Sequence, residues 1–199
     1  PTTGTLSSAT GNIGIGKDVL AALTSGTYNV VVGHDAGVAL TTVGESVIIG
    51  KGAVGTGNTL TAAAGSVAIG AGAAAALTIG LGTTVIGYQA GAALTEGLGN
   101  VAVGYQALDA AILSDNNTAI GHKALSALNS NNATGNNTAL GYQAGLVLQH
   151  ATTAIDNVII GSGAAVASTT VGESVIIGKG AVGTGDTLTA AAGSVAIGA

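Results

Sequence analysis

The chain has 199 residues and a formal net charge of −5, from four lysines, no arginine and nine carboxylates. That balance offers no basic stripe for nucleic acid, and the absence of cysteine removes disulfides and thiolate metal sites together. With 35 glycines, no Phe, Trp or Met and only 7% charged residues, a globule built on large aromatic anchors is excluded as well. A narrow core of small branched residues stacked in register remains. Polar residues and glycines interrupt every apolar run before it reaches the roughly 18 residues of a membrane span, so no membrane insertion is expected. The N-terminus, Pro1-Thr2-Thr3-Gly4, has no secretory signal, and the chain reads as a segment of something longer.

A short string recurs along the chain. It first shows at Ile15-Gly16 and is clear at Ser46-Val47-Ile48-Ile49-Gly50, Ser66-Val67-Ala68-Ile69-Gly70 and Asn100-Val101-Ala102-Val103-Gly104. It continues at Asn117-Thr118-Ala119-Ile120-Gly121, Asn137-Thr138-Ala139-Leu140-Gly141 and Asn157-Val158-Ile159-Ile160-Gly161. Eleven copies end on Gly16, Gly33, Gly50, Gly70, Gly87, Gly104, Gly121, Gly141, Gly161, Gly178 and Gly198. The steps between them are 17 or 20 residues, which predicts an all-β parallel solenoid (a β-roll) with one coil per copy. At about 4.8 Å per coil the rod would be roughly 50 Å long.

Let the closing glycine be position 0. Position −1 is always aliphatic and position −3 is Val, Thr or Ile, as in Val30 and Val32 or Thr118 and Ile120. These two share one face of a strand, while position −2 (Ala68, Ala102, Ala119, Ala139, Ile48, Val85, Ile159) points the other way. Both faces are apolar, so one can fill the coil and the other needs a partner. Position −2 is expected to be the partner face. Only 13 charged residues in all also leave the surface poorly solvated, which favours several rods side by side in a homo-oligomer.

Each glycine is expected to end its strand in a sharp turn. After it, alanine at +3 holds in nine of ten copies, Val19 being the exception, and leucine at +7 recurs at Leu23, Leu40, Leu77, Leu94, Leu128 and Leu148. This segment should return across the coil and pack inward, in irregular or strand-like form. The three extra residues of the long coils are placed in the loop after it, as at Gly55-Thr56-Gly57-Asn58-Thr59. A larger period overlies the coils: residues 41–71 and 169–199 are identical except for Asn58 and Asp186, an offset of seven coils within what reads as one solenoid segment over 1–199. Neither end shows the polar cap that a free-standing solenoid needs.

The run Asn132-Ala133-Thr134-Gly135-Asn136-Asn137-Thr138-Ala139-Leu140-Gly141-Tyr142-Gln143-Ala144 resembles the NTAIGYQAL-type repeats of bacteriophage tail fibres and related large surface proteins. The Ser-Val-Ala-Ile-Gly copies at 66–70 and 194–198 are similar to repeats of trimeric autotransporter adhesin heads. The likeness covers nearly the whole chain. Adhesin heads use shorter coils, which makes the tail-fibre repeat the closer match. The resemblance implies a homotrimer of parallel β-rolls, left-handed in the adhesin heads, that presents or reaches. It carries over no catalytic residue and no cofactor.

Candidate sites lie in columns along the rod. Position +1 reads Lys17, His34, Lys51, Ala71, Tyr88, Tyr105, His122, Tyr142, Ser162, Lys179, Ala199. Tyr88 and Tyr105, with Tyr142 further along, can form an aromatic strip for a host-surface glycan or receptor; plain ladder stacking explains them equally. His34 and His122 lie five coils apart, about 24 Å, too far to share one metal within a chain; three copies of one His on a trimer axis is the remaining route. His150, in a return loop, is expected to face solvent. Asn100, Asn117, Asn137 and Asn157, with Asn12 and Asn29 earlier, share a column in which amides can hydrogen-bond along the axis. Asp18 and Asp35 share a column, one coil apart at +2, as a glycosidase pair would, with one pKa raised by the other. Lys17 and Lys51 flank them and no cleft is evident, so no enzyme is expected. Sequons at Asn116 and Asn136 matter only in a glycosylating host.

The leading expectation is therefore an extracellular structural fibre segment, the shaft or head of a tail fibre or bacterial surface appendage, made of a trimer with further copies along it. Two alternatives stand beside it: a glycan-binding module using the tyrosine column, and a monomeric solenoid polymerising end to end.

Overall fold

A computed structural model describes residues 9–55, 64–128, 135–148, 155–168, 171–183 and 193–198. Residues 56–59 of the expected insert loop, Asp186, His150, Asn131 to Thr134 and Ala199 lie outside the described residues.

The chain is an all-β parallel solenoid. Its eleven three-residue strands are β1 Ile13–Ile15, β2 Val30–Val32, β3 Val47–Ile49, β4 Val67–Ile69, β5 Thr84–Ile86, β6 Val101–Val103, β7 Thr118–Ile120, β8 Thr138–Leu140, β9 Val158–Ile160, β10 Val175–Ile177 and β11 Val195–Ile197. Each is the triplet before a repeat glycine, and they form one sheet in sequence order. Neighbours pair parallel and in register, as Val30 with Val47 and Thr118 with Thr138. Among the described residues there is no helix.

The closing glycines are required by two conditions at once. Gly104 has φ +137°, and a Cβ on it would stand 2.7 Å from the carbonyl carbon of Gly121 in the next coil. The same holds along the column, with Gly33 against Gly50 and Gly87 against Gly104 at the same 2.7 Å. A side chain would meet both a forbidden backbone region and the neighbouring backbone.

After the glycine the chain turns back without a strand, yet its backbone bonding continues from coil to coil. The N–H at +2 donates to the +1 carbonyl of the preceding coil, as Gln106 to Tyr88 at 3.0 Å and Gly163 to Tyr142 at 2.8 Å. The N–H at +4 donates to the +3 carbonyl of the following coil, as Gly91 to Ala107 at 2.9 Å. Keeping these groups on the rod axis requires left-handed residues at +2 and +4. Gln89, Lys123, Leu108 and Leu125 occupy that region with φ of 51°, 56°, 55° and 49°. Position −5 is left-handed too, held by Gly82 and Gly99 in some coils and by Asn116, Asn136 and Asp156 in others. The return is thus irregular turn, and its ladder satisfies amides that would otherwise be orphaned. That satisfaction outweighs the helix propensity of stretches such as 71–76.

The inside and outside of the coil are the reverse of the expectation. From β2 to β10 the middle residue is buried, and the two flanking residues are half-buried or exposed. Position −2 fills the core of its own chain, and the −1/−3 pair forms the outward face. The reason is volume. Inside the coil −2 packs beside +4, and in several coils the two compensate: Ala102 with Leu108, Ala119 with Leu125, Val31 with Gly37, Val85 with Gly91, Ile159 with Ala165, all buried where a side chain exists, whereas Ile48 with Val54 pairs two bulky residues. Where both are small, at Ala139 and Gly145, Leu125 and Ile159 of adjacent coils fill the space; a Cβ on Gly145 would come within 2.8 Å and 3.1 Å of their methyl groups. Ala68 and Ala74 are both alanine, and a void of about 10 Å³ remains there between Ile48, Leu77 and Val85. The +3 alanines and +7 leucines line the rest of the core, as the spacing predicted.

Candidate functional site

The column at +1 is the most elaborated surface of the rod. Register places Tyr88, Tyr105, His122 and Tyr142 in four successive coils, and their rings stack. Tyr88 and Tyr105 lie 5.5 Å apart at 10°, Tyr105 and His122 4.9 Å at 12°, and His122 and Tyr142 5.2 Å at 22°. These spacings sit near the roughly 4.8 Å advance per strand, so the ring planes lie across the rod axis. Tyr88, Tyr105 and Tyr142 are 50%, 43% and 52% exposed. His122 therefore bridges tyrosines that sequence alone left as an adjacent pair and a distant third. The readable signal was its place in the same column.

Beside the rings runs a column of Gln89, Gln106, Lys123 and Gln143, in which Gln106 Nε2 donates to Gln89 Oε1 at 3.0 Å. The ring ladder stops on both sides at small residues: Ala71-Gly72 before Tyr88 and Ser162-Gly163 after Tyr142.

On the far side of each strand, at −4, the expected amide column is present and fully buried: Asn29, Asn100, Asn117, Asn137 and Asn157. Asn117 Nδ2 donates to Asn100 Oδ1 at 3.2 Å, Asn137 Nδ2 to Asn117 Oδ1 at 3.0 Å and Asn157 Nδ2 to Asn137 Oδ1 at 2.9 Å. Each Oδ1 also accepts the backbone N–H of the next coil, as from Asn137 to Asn117 at 3.1 Å. Buried amides so paired are structural cement.

Asp18 and Asp35 are each drawn to a basic residue of their own coil. Asp18 takes Lys17 at 2.7 Å and Asp35 takes His34 Nδ1 at 2.7 Å, each from its own coil. The hydrogen bond and charge of Lys17 hold the Asp18 carboxyl below its usual range rather than raising it. Among the described residues no group of three or more His, Asp or Glu could hold a metal ion. Asn116 and Asn136 are exposed, and the Asn136 amide donates to Asp156 at 3.0 Å. A shallow groove of about 260 Å³ lies on another side, between Ile79, Glu96, Leu98, Leu113 and Asp115. No described helix is long and apolar enough to cross a membrane.

No protein-family model, curated protein or solved structure matches the chain.

Proposed function

We propose that the chain is a structural fibre segment, the shaft or head of an extracellular appendage of the tail-fibre or surface-adhesin kind. In this reading it assembles as a homotrimer of rods packed along their outward strand faces. One observation carries the proposal. The −1 and −3 columns of all eleven strands contain only Val, Ile, Leu and Thr, without one charge. Ile120 and Leu140 remain 38% and 46% exposed in the single rod. A stripe roughly 50 Å by 10 Å, about 500 Å², is the size of the largest apolar patch on a typical monomer, a kind that often serves an interaction. Its area grows in proportion to the number of coils, so the same stripe serves a longer fibre without new chemistry. The mechanism is mechanical: repetition sets reach, and the axial ladders set rigidity.

The test is the native mass of the soluble protein, expected at three chains of 18.5 kDa. Ile120→Lys with Leu140→Lys, both on the stripe, should yield monomer of unchanged β-content. Monomer from the unmodified chain, or monomer that grows into helical filaments at higher concentration, refutes the trimer. An end-on view by microscopy checks the threefold symmetry directly.

A second reading, glycan recognition, is favoured by the exposed four-ring ladder. A glycan array comparing the unmodified chain with the Tyr88→Ala, Tyr105→Ala, Tyr142→Ala triple variant tests it.

A further inference from the structure

Stacking has a consequence for any ligand of the ladder. Within it, each ring face is covered by the next ring, at centroid separations of 4.9 to 5.5 Å. Two faces stay open: that of Tyr88 toward Ala71, and that of Tyr142 toward Ser162.

Both open faces end in the same surroundings. Gly72 donates to the Lys51 carbonyl and Gln89 to the Ala71 carbonyl, each at 3.0 Å, so Ala71 stands directly between Lys51 and Tyr88. At the other end Gly163 donates to Tyr142 at 2.8 Å and Gly180 to Ser162 at 2.9 Å, which sets Ser162 between Tyr142 and Lys179. The order of the columns is reversed between the ends: Lys51-Gly52, Ala71-Gly72, Tyr88-Gln89 at one, and Tyr142-Gln143, Ser162-Gly163, Lys179-Gly180 at the other. The floors are bare, since a Cβ added at Gly163 would meet nothing within 4 Å and one at Gly72 only Gln89 Cγ at 3.5 Å. Lys51 and Lys179 are exposed, and among the described residues neither forms a salt bridge.

The dimensions suit one sugar ring. The tyrosine and lysine columns are two coils, about 9.6 Å, apart. A ring seated about 3.5–4 Å from the tyrosine face leaves roughly 6 Å to the lysine column, within reach of its flexible stem. The C–H face of a pyranose, carrying partial positive charge, complements the negative face of the tyrosine. The glutamine amide beside it can bond hydroxyls, and the ammonium can bond a carboxylate.

We propose that the two ends of the aromatic ladder are two slots of like composition for an acidic pyranose, a uronic-acid residue of a glycan. This rests on the glycan reading above and narrows it to a ligand class and to two places.

The experiment follows the ring signals of tyrosine-labelled protein by NMR during titration with methyl glucuronide or methyl glucoside. Shifts should concentrate on Tyr88 and Tyr142. The glucuronide should bind about threefold tighter than the glucoside, the scale of one exposed ion pair, and Lys51→Gln with Lys179→Gln should abolish that preference. Tyr88→Ala with Tyr142→Ala should weaken binding about tenfold, the scale of a lost aromatic stack. Tyr105→Ala should preserve it, because that change uncovers two further ring faces. If Tyr105 shifts as far as Tyr88 and Tyr142, or Tyr105→Ala loses binding as the double variant does, the slots are wrong and the ladder binds by its edges. Equal affinity for the two sugars overturns the acidic class. Binding of neither sugar, here or of any glycan on the array, removes both the slots and the glycan reading.

Discussion

Replacing Asn117 tests whether the buried amide column holds the coils together. Its Nδ2 donates to Asn100 Oδ1 and to the Asp115 carbonyl, both at 3.2 Å, and its Oδ1 accepts the Asn137 backbone N–H at 3.1 Å and Nδ2 at 3.0 Å. Asn117→Ala withdraws the acceptor from two buried donors of Asn137. At about 1–3 kcal/mol for each buried group deprived of its partner, the loss should reach about 3–4 kcal/mol. Asn117→Ser should cost roughly half that, because serines already serve in this column. Ser46 and Ser174 donate to carbonyls two residues back, at 3.1 Å and 2.8 Å. Asn117→Asp keeps the shape but buries a carboxylate that cannot donate to Asn100. Burial raises its folded pKa above the unfolded value, so its stability deficit should shrink as pH falls through that window. Denaturant titration measures the losses, and hydrogen exchange at the Asn137 amide localises them. A cost for Asn117→Ala below about 1 kcal/mol, or an unchanged exchange rate at Asn137, would refute the reasoning.

Gly104→Ala and Gly163→Ala separate backbone strain from collision. At Gly163 (φ +67°, open space) the change should cost about 1 kcal/mol. At Gly104 (φ +137°, facing the Gly121 carbonyl) it should cost about 3 kcal/mol or more, and thermal unfolding midpoints should fall in that order. Ala68→Ile copies the Ile159–Ala165 pairing into the coil with the void. Its three added carbons exceed a space that holds about one water, so it should overpack the coil, cost about 1–3 kcal/mol and lower the midpoint; a raised midpoint would refute that. Asp18 should titrate below its ordinary value of 3.8, and Lys17→Gln should return it there, by carboxyl-carbon NMR. The stability its depressed pKa contributes is present at neutral pH and is lost as pH falls through the folded pKa.

The strands were legible because one residue type marks every coil. Each of the eleven is the triplet before a repeat glycine, and the glycine recurs where no Cβ fits. Alternation also showed that Val30 and Val32 share a face opposite Val31. It could not show which face is inside, because both are apolar and period two carries no volume. The volume signal was present in a second column. In six of ten coils a small residue at −2 or +4 faces a larger one at the other, as Ala102 with Leu108 and Ile159 with Ala165, though Ile48 with Val54 and Ile176 with Val182 are both bulky. The left-handed positions were partly hidden. Gly82, Gly99, Asn116 and Asp156 mark −5 by their tolerance for positive φ, but Leu108 and Leu125 at +4 do not. There burial in the core sustains a conformation that propensity opposes. The ring ladder was visible as a column, but not which ring faces it covers, since that depends on how the side chains lie.

A three-residue strand is a weak register device. Slipping by one residue would exchange its core and outward faces at the loss of few strand hydrogen bonds. What forbids the slip stands just outside the strand, on both sides. At −4 the amide of Asn117 joins the coils before and after it. At 0 the Gly121 backbone runs so close to Gly141 that a Cβ would come within 2.7 Å of its carbonyl carbon. A slipped strand would put an aliphatic side chain into that space and pull an amide out of its ladder. Asparagine and glycine therefore fix which face of Thr118-Ala119-Ile120 looks outward; the glycine recurs in every coil, and the −4 position is Asn, Ser or Thr. The outward stripe stays continuous because its two flanking columns are held, not because the strands themselves are strong. If the rods assemble along this stripe as proposed, a fault in either column should first appear as lost assembly, at the coil where the stripe is interrupted.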